Sequence, residues 1–148
     1  MRLYLASPFF NDEQNEREER VKAKLRELGF DVFSPKEACV IKPNESVEKQ
    51  EEVFEGNING IVSCDVLFAI TDGKDIGTIW EAGFANGLNA AGANKTIVYY
   101  CETLPKGGKF NLMLARSADI VITKFEDLDS LYDKIDANEK VQYDGFVQ

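Results

Sequence analysis

Short apolar runs alternate with longer amphipathic segments along this chain. The runs are Leu3-Tyr4-Leu5-Ala6, Phe30-Asp31-Val32-Phe33-Ser34, Val66-Leu67-Phe68-Ala69-Ile70, Thr96-Ile97-Val98-Tyr99-Tyr100 and Asp119-Ile120-Val121-Ile122. Their length and their branched and aromatic content suit strands buried on both faces. Between them the apolar positions recur at helical spacing. From Asp12 to Leu28, Val21, Leu25 and Leu28 follow one another at four and three, Gly29 closes the segment, and the many charges read as a solvated face. From about Ser46 to Ile61, Val47, Phe54, Ile58 and Ile61 share one side and Glu48, Lys49, Glu51 and Glu52 the other. A third helix opens near Thr78 and stops at Gly92, a short one begins around Asn111, and Leu128, Leu131 and Ile135 mark the last.

Strands alternating with helices call for a parallel sheet joined by right-handed crossovers. The pattern therefore predicts one α/β domain over residues 1–148, a doubly wound five-stranded parallel sheet with helices on both faces in the flavodoxin-like order 2-1-3-4-5. That order sets the ends of strands one and three side by side, at the switch point where open α/β sheets bind ligands. Tyr4, Phe9, Asp75 and a glutamate at position 81 are expected to meet there.

Three connections carry further signals. Ser7-Pro8-Phe9-Phe10 follows strand one, and its aromatics either line a pocket for a flat ligand or cover the core beneath helix one. Pro35 through Pro43 reads as a long rim loop at the same end of the sheet. Cys101 to Phe110, with Pro105, Gly107-Gly108, Lys106 and Lys109, has the composition of a phosphate loop but not the Walker spacing. The aromatic tail, residues 142–148, is expected to dock rather than fray.

The chemistry concentrates in Asp75-Ile76-Gly77-Thr78-Ile79-Trp80-Glu81-Ala82-Gly83-Phe84-Ala85, just past strand three. Thr78-x-x-Glu81 has capping-box spacing, with Gly77 giving the chain freedom to turn, so Glu81 has a simple structural use. The apolar neighbours of Glu81 argue for the other use, a desolvated carboxylate leaning back over the loop that carries Asp75. A helix N-terminus favours the ionised form of such a group, and an ionised, partly desolvated glutamate is a competent nucleophile for carbon. Tyr4, in a buried strand, needs a partner for its hydroxyl, and a carboxylate in the crevice is one candidate.

Composition narrows the chemistry. The chain has no histidine, which removes Ser-His-Asp and Cys-His catalysis and most catalytic zinc sites. The three cysteines, Cys39, Cys64 and Cys101, are scattered and form no C-x-x-C, which fits reduced thiols. A net charge of −9 without a basic cluster argues against nucleic-acid polymers and anionic membranes. No run is long enough to span a bilayer and the start has no signal-peptide pattern, so a cytoplasmic protein is expected.

Leu3-Tyr4-Leu5-Ala6-Ser7-Pro8-Phe9-Phe10, Asn57-Ile58-Asn59-Gly60-Ile61, Asp75-x-Gly77-Thr78-x-x-Glu81-x-Gly83-x-Ala85 and Phe110-Asn111-Leu112-Met113-Leu114 together resemble the nucleoside 2-deoxyribosyltransferase family, over nearly the whole chain. The resemblance implies an enzyme of nucleoside metabolism and salvage that moves 2-deoxyribose between nucleobases with retained configuration. It implies Glu81 as the nucleophile carrying a covalent deoxyribosyl group, Tyr4 as the residue that orients it, and Asp75 as a group that binds the sugar or manages the proton of the base. Phe9, Asn57, Gly77, Asn111, Met113 and Gln148 match substrate-binding positions. Partners would be deoxynucleosides and free nucleobases, with no metal or organic cofactor. The resemblance further implies a homo-oligomer built from dimers, in which Asn111 serves the neighbouring subunit's site. Two positions depart from part of the family. Asn57 stands where some members carry aspartate, and Gln148 ends the chain where some end in an aromatic, though its terminal carboxylate can still serve.

Two other functions compete. Related hydrolases use the same glutamate to cleave deoxynucleoside 5-monophosphates with water. They carry Ser, Gly and Arg in the first loop, whereas Pro8-Phe9-Phe10 is apolar, although Ser7, Lys106, Lys109, Arg116 and Ser117 offer phosphate ligands elsewhere. The other is a non-catalytic, nucleotide-sensing flavodoxin-like module, which would have no use for a buried Glu81.

Overall fold

The computed structural model describes residues 1–38, 40–104 and 107–148. Cys39, Pro105 and Lys106 lie outside the described residues, and with them the thiol at position 39 and the centre of the lysine-glycine loop.

Five strands form one parallel sheet: β1 (Arg2–Ala6), β2 (Asp31–Phe33), β3 (Val66–Ile70), β4 (Thr96–Tyr100) and, two places later along the chain, β6 (Ile120–Ile122), in the order β2-β1-β3-β4-β6. This is the expected topology, with β1 and β3 adjacent at the switch point. The helices are α1 (Asp12–Glu27), α2 (Pro35–Ala38), α3 (Val47–Ser63), α4 (Ile76–Ala90), α5 (Leu112–Ser117) and α6 (Leu131–Asp136), the last preceded by a 3-10 turn at Phe125–Ser130. Asn11 caps α1 and Ser46 caps α3 through their side chains. Gly29 and Gly92 follow α1 and α4 at φ +104° and +110°, the left-handed conformation that ends a helix.

Strand alternation sorts the core into two layers. Leu3, Leu5, Phe68, Ile70, Val98 and Tyr100 face Val21 and Leu25 of α1 and Leu128 and Leu131 near α6. Tyr4, Ala6, Leu67, Ala69, Ile97 and Tyr99 face Ile61 of α3, Ala82 and Ala85 of α4 and Ala115 of α5. Alanines on both sides of the β3–α4 contact let that helix lie close to the sheet, and this closeness governs where Glu81 goes.

Several local expectations need correction. The loop after β2 contains a helical turn, α2, too short for periodicity to reveal. Lys109–Phe110 (β5) and Phe146–Val147 (β7) form a second, two-stranded parallel sheet, so the tail is docked by backbone pairing. On α3 only Ile61 is buried; Val47 and Phe54 are exposed, so the apolar side of that helix covers the sheet only at its last turns.

Not all the charges of α1 form a solvated face: Asp12, Glu13, Glu16 and Glu27 are exposed, but Arg17, Glu18 and Lys22 are buried. Arg17 Nε lies 2.9 Å from Glu102 and 3.9 Å from the fully buried carboxylate of Asp72, while its Nη2 is 2.7 Å from Glu13. Arg20 also holds Glu102, at 2.7 Å. Burial pushes the Glu102 carboxyl up, but Arg20, Tyr100 and Arg17 outweigh it and hold the group at about 2. Farther along the helix, Glu18 accepts from Ser34 at 2.9 Å and pairs with Lys22 and Lys36. A helical pattern identifies which side chains are charged, not whether another loop brings their counter-ions. These pairs tie α1 to the loops after β2, β3 and β4.

Arg17→Met removes the cation facing Asp72 and keeps the apolar stem. It is expected to lower the free energy of unfolding by about 3–5 kcal/mol, the cost of leaving a buried charge unpaired. Urea denaturation measures this, and a loss under about 1 kcal/mol would mean that Asp72 does not depend on Arg17.

Candidate active site

The loop after β3 reverses through Gly73 at φ +80° and Lys74 at φ +54°, with Lys74 N–H bonded to Thr71 C=O at 3.1 Å. It delivers Asp75 as the N-cap of α4. Asp75 Oδ2 accepts from Thr78 N at 2.8 Å and Thr78 Oγ1 at 2.9 Å. The helix thus starts two residues earlier than expected and is capped by Asp75, not by a Thr78–Glu81 box: aspartate is among the best N-caps, and its charge suits the positive helix end. Gly77 lies inside the first turn rather than before it, and its contribution is room, because a Cβ there would come within 3.2 Å of Asp75 Oδ2.

Freed from the cap, Glu81 projects one turn into α4 and leans back toward the end of β1. Its Oε2 accepts a hydrogen bond from the hydroxyl of Tyr4, whose side chain is fully buried on the α3–α4 face of the sheet. The Glu81 carboxyl is pushed up to about 7, chiefly by burial; the Tyr4 hydrogen bond pulls it down, and the charge of Asp75 pushes it up further. Burial also drives the Tyr4 phenol far up, with the Glu81 charge and hydrogen bond adding to it, so Tyr4 acts only as a donor. The helix end is expected to favour the ionised form, but desolvation outweighs it, and near neutral pH the group divides between both forms.

Other expected positions fall into two groups. The first lies after β1 and on α3 and α4: Phe9 and Phe10 stack on each other with centroids 5.3 Å apart, and Phe10 is 74% exposed, which excludes core cover for that ring. Asn57 is half-buried on α3. Trp80 and Phe84 stack at 5.6 Å, and Phe54 packs against Trp80 at 5.9 Å. The second group surrounds the start of α5. Asn111 caps that helix, its Oδ1 accepting from Met113 N at 2.9 Å and Leu114 N at 3.3 Å. Met113 is 73% exposed, and Gln148 is held by Leu112 N–H to its C=O at 2.6 Å and by its own N–H to Phe110 C=O at 2.8 Å. Among the described residues no hydrogen bond or ion pair joins this group to Glu81. Nor do any three His, Cys, Asp or Glu residues among them cluster to hold a metal ion.

Two residues beside Tyr4 escaped the sequence analysis as site residues. Phe33 stacks on Tyr4 with centroids 5.4 Å apart and planes 17° from parallel, and Gly60 of α3 abuts both rings. An isolated glycine inside a helical pattern was the available signal for Gly60. Phe33 gave none, since the pairing of β2 with β1 that sets it opposite Tyr4 is not local.

The sequence model described as nucleoside 2-deoxyribosyltransferase matches residues 3–131. The chain belongs to that family. Membership makes it a transferase by class, and the nucleoside 2-deoxyribosyltransferase fold is borne out by solved structures. A 2-deoxyribosyltransferase from the psychrotolerant bacterium Bacillus psychrosaccharolyticus superposes with a TM-score of 0.83 at 30% identity, covering 97% of this chain and 99% of that one. Two more distant structures share the fold. The 2-desoxiribosyltransferase of Leishmania mexicana gives a TM-score of 0.61 at 20% identity over 88% of this chain and 95% of that one. A conserved protein of Enterococcus faecalis V583 gives 0.57 at 18% identity over 100% and 81%. No curated protein sequence matches the chain significantly. No helix among the described residues is long and apolar enough to cross a membrane.

The raised Glu81 carboxyl predicts a pH-dependent stability difference. Its folded value, about 7, lies above its ordinary value of 4.5. The folded state therefore resists ionisation, and wild type loses stability as pH rises between those values. Glu81→Gln does not titrate there, so its stability relative to wild type should climb from pH 4.5 to 7 and then level off. The gain should stay within about 3 kcal/mol. Thermal melts across that range measure it; parallel curves would show that Glu81 titrates normally.

Proposed function

We propose that this protein transfers 2-deoxyribose from one nucleobase to another with retention of configuration, through a covalent deoxyribosyl-Glu81 intermediate. The observation that carries this reading is the half-buried Glu81 carboxylate at the switch point, held through one oxygen by a phenol that can only donate. Tyr4 fixes Oε2 and leaves Oε1 to attack the anomeric carbon as the carbon–nitrogen bond to the departing base breaks. The base takes the bonding pair and a proton. Oxocarbenium character builds on the sugar, and the adjacent carboxylate stabilises it before trapping it. A nitrogen of the second base then attacks the same carbon from the opposite side, expelling Glu81 and losing a proton. Two inversions give net retention.

Asp75 commits Oδ2 to Thr78, which leaves Oδ1 for a sugar hydroxyl or for the proton of the base. The apolar Pro8-Phe9-Phe10 loop favours nucleosides over monophosphates, with Phe9, Asn57 and Gly77 on the substrate's side of the site. The Bacillus psychrosaccharolyticus enzyme, characterised as a biocatalyst for synthesis of antiviral and antitumoral nucleosides, supports the same substrate class. Asn111, Met113 and Gln148 complete the site of a second copy. Support comes from the exposed Leu112, Met113 and Phe146 around Asn111, a surface suited to contact another chain.

Incubation with 2-deoxyinosine, with and without adenine, tests the reaction. 2-Deoxyadenosine is expected only when adenine is present; hypoxanthine without a new nucleoside would indicate hydrolysis instead. Glu81→Ala should lower turnover at least about 1,000-fold, as loss of a nucleophile does. Quenching the wild type with 2-deoxyinosine alone should add one deoxyribosyl group to the peptide containing Glu81. Because only the ionised carboxylate attacks, kcat/KM should fall about tenfold per pH unit below about 7.

Mixing inactive Glu81→Ala with inactive Asn111→Ala tests the shared site. Activity should return in the mixture, since some hybrid sites hold Glu81 from one chain and Asn111 from the other; a mixture as inactive as its parts would refute subunit sharing.

A further inference from the structure

Tyr4 owes its position to more than the strand that carries it. Its ring lies against Phe33 on one side, and the backbone of α3 closes on both rings at Gly60. A Cβ at Gly60 would sit 3.1 Å from Cδ2 and Cε2 of Tyr4 and 3.1 Å from Cε1 of Phe33. That is tighter than ordinary carbon contact, and neither ring is the loose end of a flexible chain. Gly56, one turn earlier on α3, and Gly83 on α4 have no neighbour within 4 Å of such a Cβ. A glycine inside a helix costs stability relative to alanine. At position 60 alone on α3 the missing side chain is matched to another residue.

We infer that Gly60 is a positioning residue, whose bare backbone sets how deeply the Tyr4 ring sits between α3 and β2 and so aims its hydroxyl at Glu81. The inference rests on Glu81 being the nucleophile, as proposed above. A methyl group at position 60 must push the Tyr4 ring by a few tenths of an ångström, away from Gly60 and from a site where the ring is fully buried and has no slack. The titratable groups facing Glu81 are Tyr4 from β1 and Asp75 ahead of α4; Cys64, just after α3, faces Tyr4. The atoms nearest a Cβ at Gly60 belong to Tyr4 and Phe33, not to Asp75 or Cys64, so its effect on Glu81 passes through Tyr4.

The test compares Gly60→Ala, Gly56→Ala, Tyr4→Phe and the Gly60→Ala/Tyr4→Phe double variant by the pH dependence of deoxyribosyl transfer. Gly60→Ala should move the acid limb of kcat/KM to higher pH, toward that of Tyr4→Phe. At pH 6 it should lose about tenfold, the scale of a hydrogen bond to a charged group. Gly56→Ala makes the same change in helix propensity without the contact, and should track wild type. The double variant should lose no more than Tyr4→Phe alone. The inference is overturned if Gly60→Ala coincides with Gly56→Ala, or if its loss multiplies with that of Tyr4→Phe. Should Gly60→Ala not fold, Phe33→Leu removes the opposite wall of the Tyr4 slot; an acid limb left in place would refute the slot, and a shift to higher pH would support it. Glu81→Gln separates the two readings: full turnover by that variant sinks the nucleophile itself, whereas an inactive Glu81→Gln beside an unshifted Gly60→Ala sinks only the role of Gly60.

Discussion

The hydrogen bond from Tyr4 to Glu81 crosses from the sheet to the helix that packs on it, and the arrangement of the site follows from making it possible. A carboxylate that far into the protein is costly unless it is partnered, and here the partner is a neutral phenol rather than a cation. The compensation is partial, which leaves the carboxyl titrating near neutrality. A lysine or arginine in place of Tyr4 would hold the carboxylate ionised and also blunt it as a nucleophile. A phenol fixes its orientation without neutralising it. Because Tyr4 lies on β1 and Glu81 on α4, the contact needs β1 and β3 side by side and α4 close against them, which the small side chains Ala6, Ala69, Ala82 and Ala85 allow.

The opposite face of the sheet solves a different problem. There α1 holds the loops after β3 and β4 through Arg17, Arg20, Asp72 and Glu102. Asp72 directly precedes the left-handed turn at Gly73 and Lys74 that sends Asp75 to its capping position. One layer of the molecule therefore carries the Tyr4–Glu81 pair and the other steadies the loop beside it, with the strands between them.

Much of this was legible in the sequence, and what was missed shares a cause. The strands, their order and the long helices follow from periodicity, and the convergence of Tyr4, Asp75 and Glu81 follows from the switch point. Asp75 and Thr78 were both recognised, but their shared capping was assigned to the wrong pair, because two overlapping caps within six residues compete and sequence spacing does not rank them. The burial of Arg17, Glu18 and Lys22 depends on partners at Glu102, Asp72, Ser34 and Lys36 that only the fold brings together. The β5 and β7 strands and α2 are too short for a period to repeat within them. Phe33 and Gly60 acquire meaning only when β2 is set beside β1 and α3 is laid over both.

The buried charges of α1 also bear on how the protein can be engineered. Sixteen residues rich in acids and bases, DEQNEREERVKAKLRE, invite surface-charge redesign for solubility or for attachment to a support. Three of those charged positions are interior parts of the scaffold, and Glu19 is a partner of buried Lys22, so charge reversal should be confined to outward positions such as Glu16 and Glu27. Amine-directed coupling meets the same boundary: Lys22, enclosed by Glu18, Glu19 and Glu37, offers a poor target.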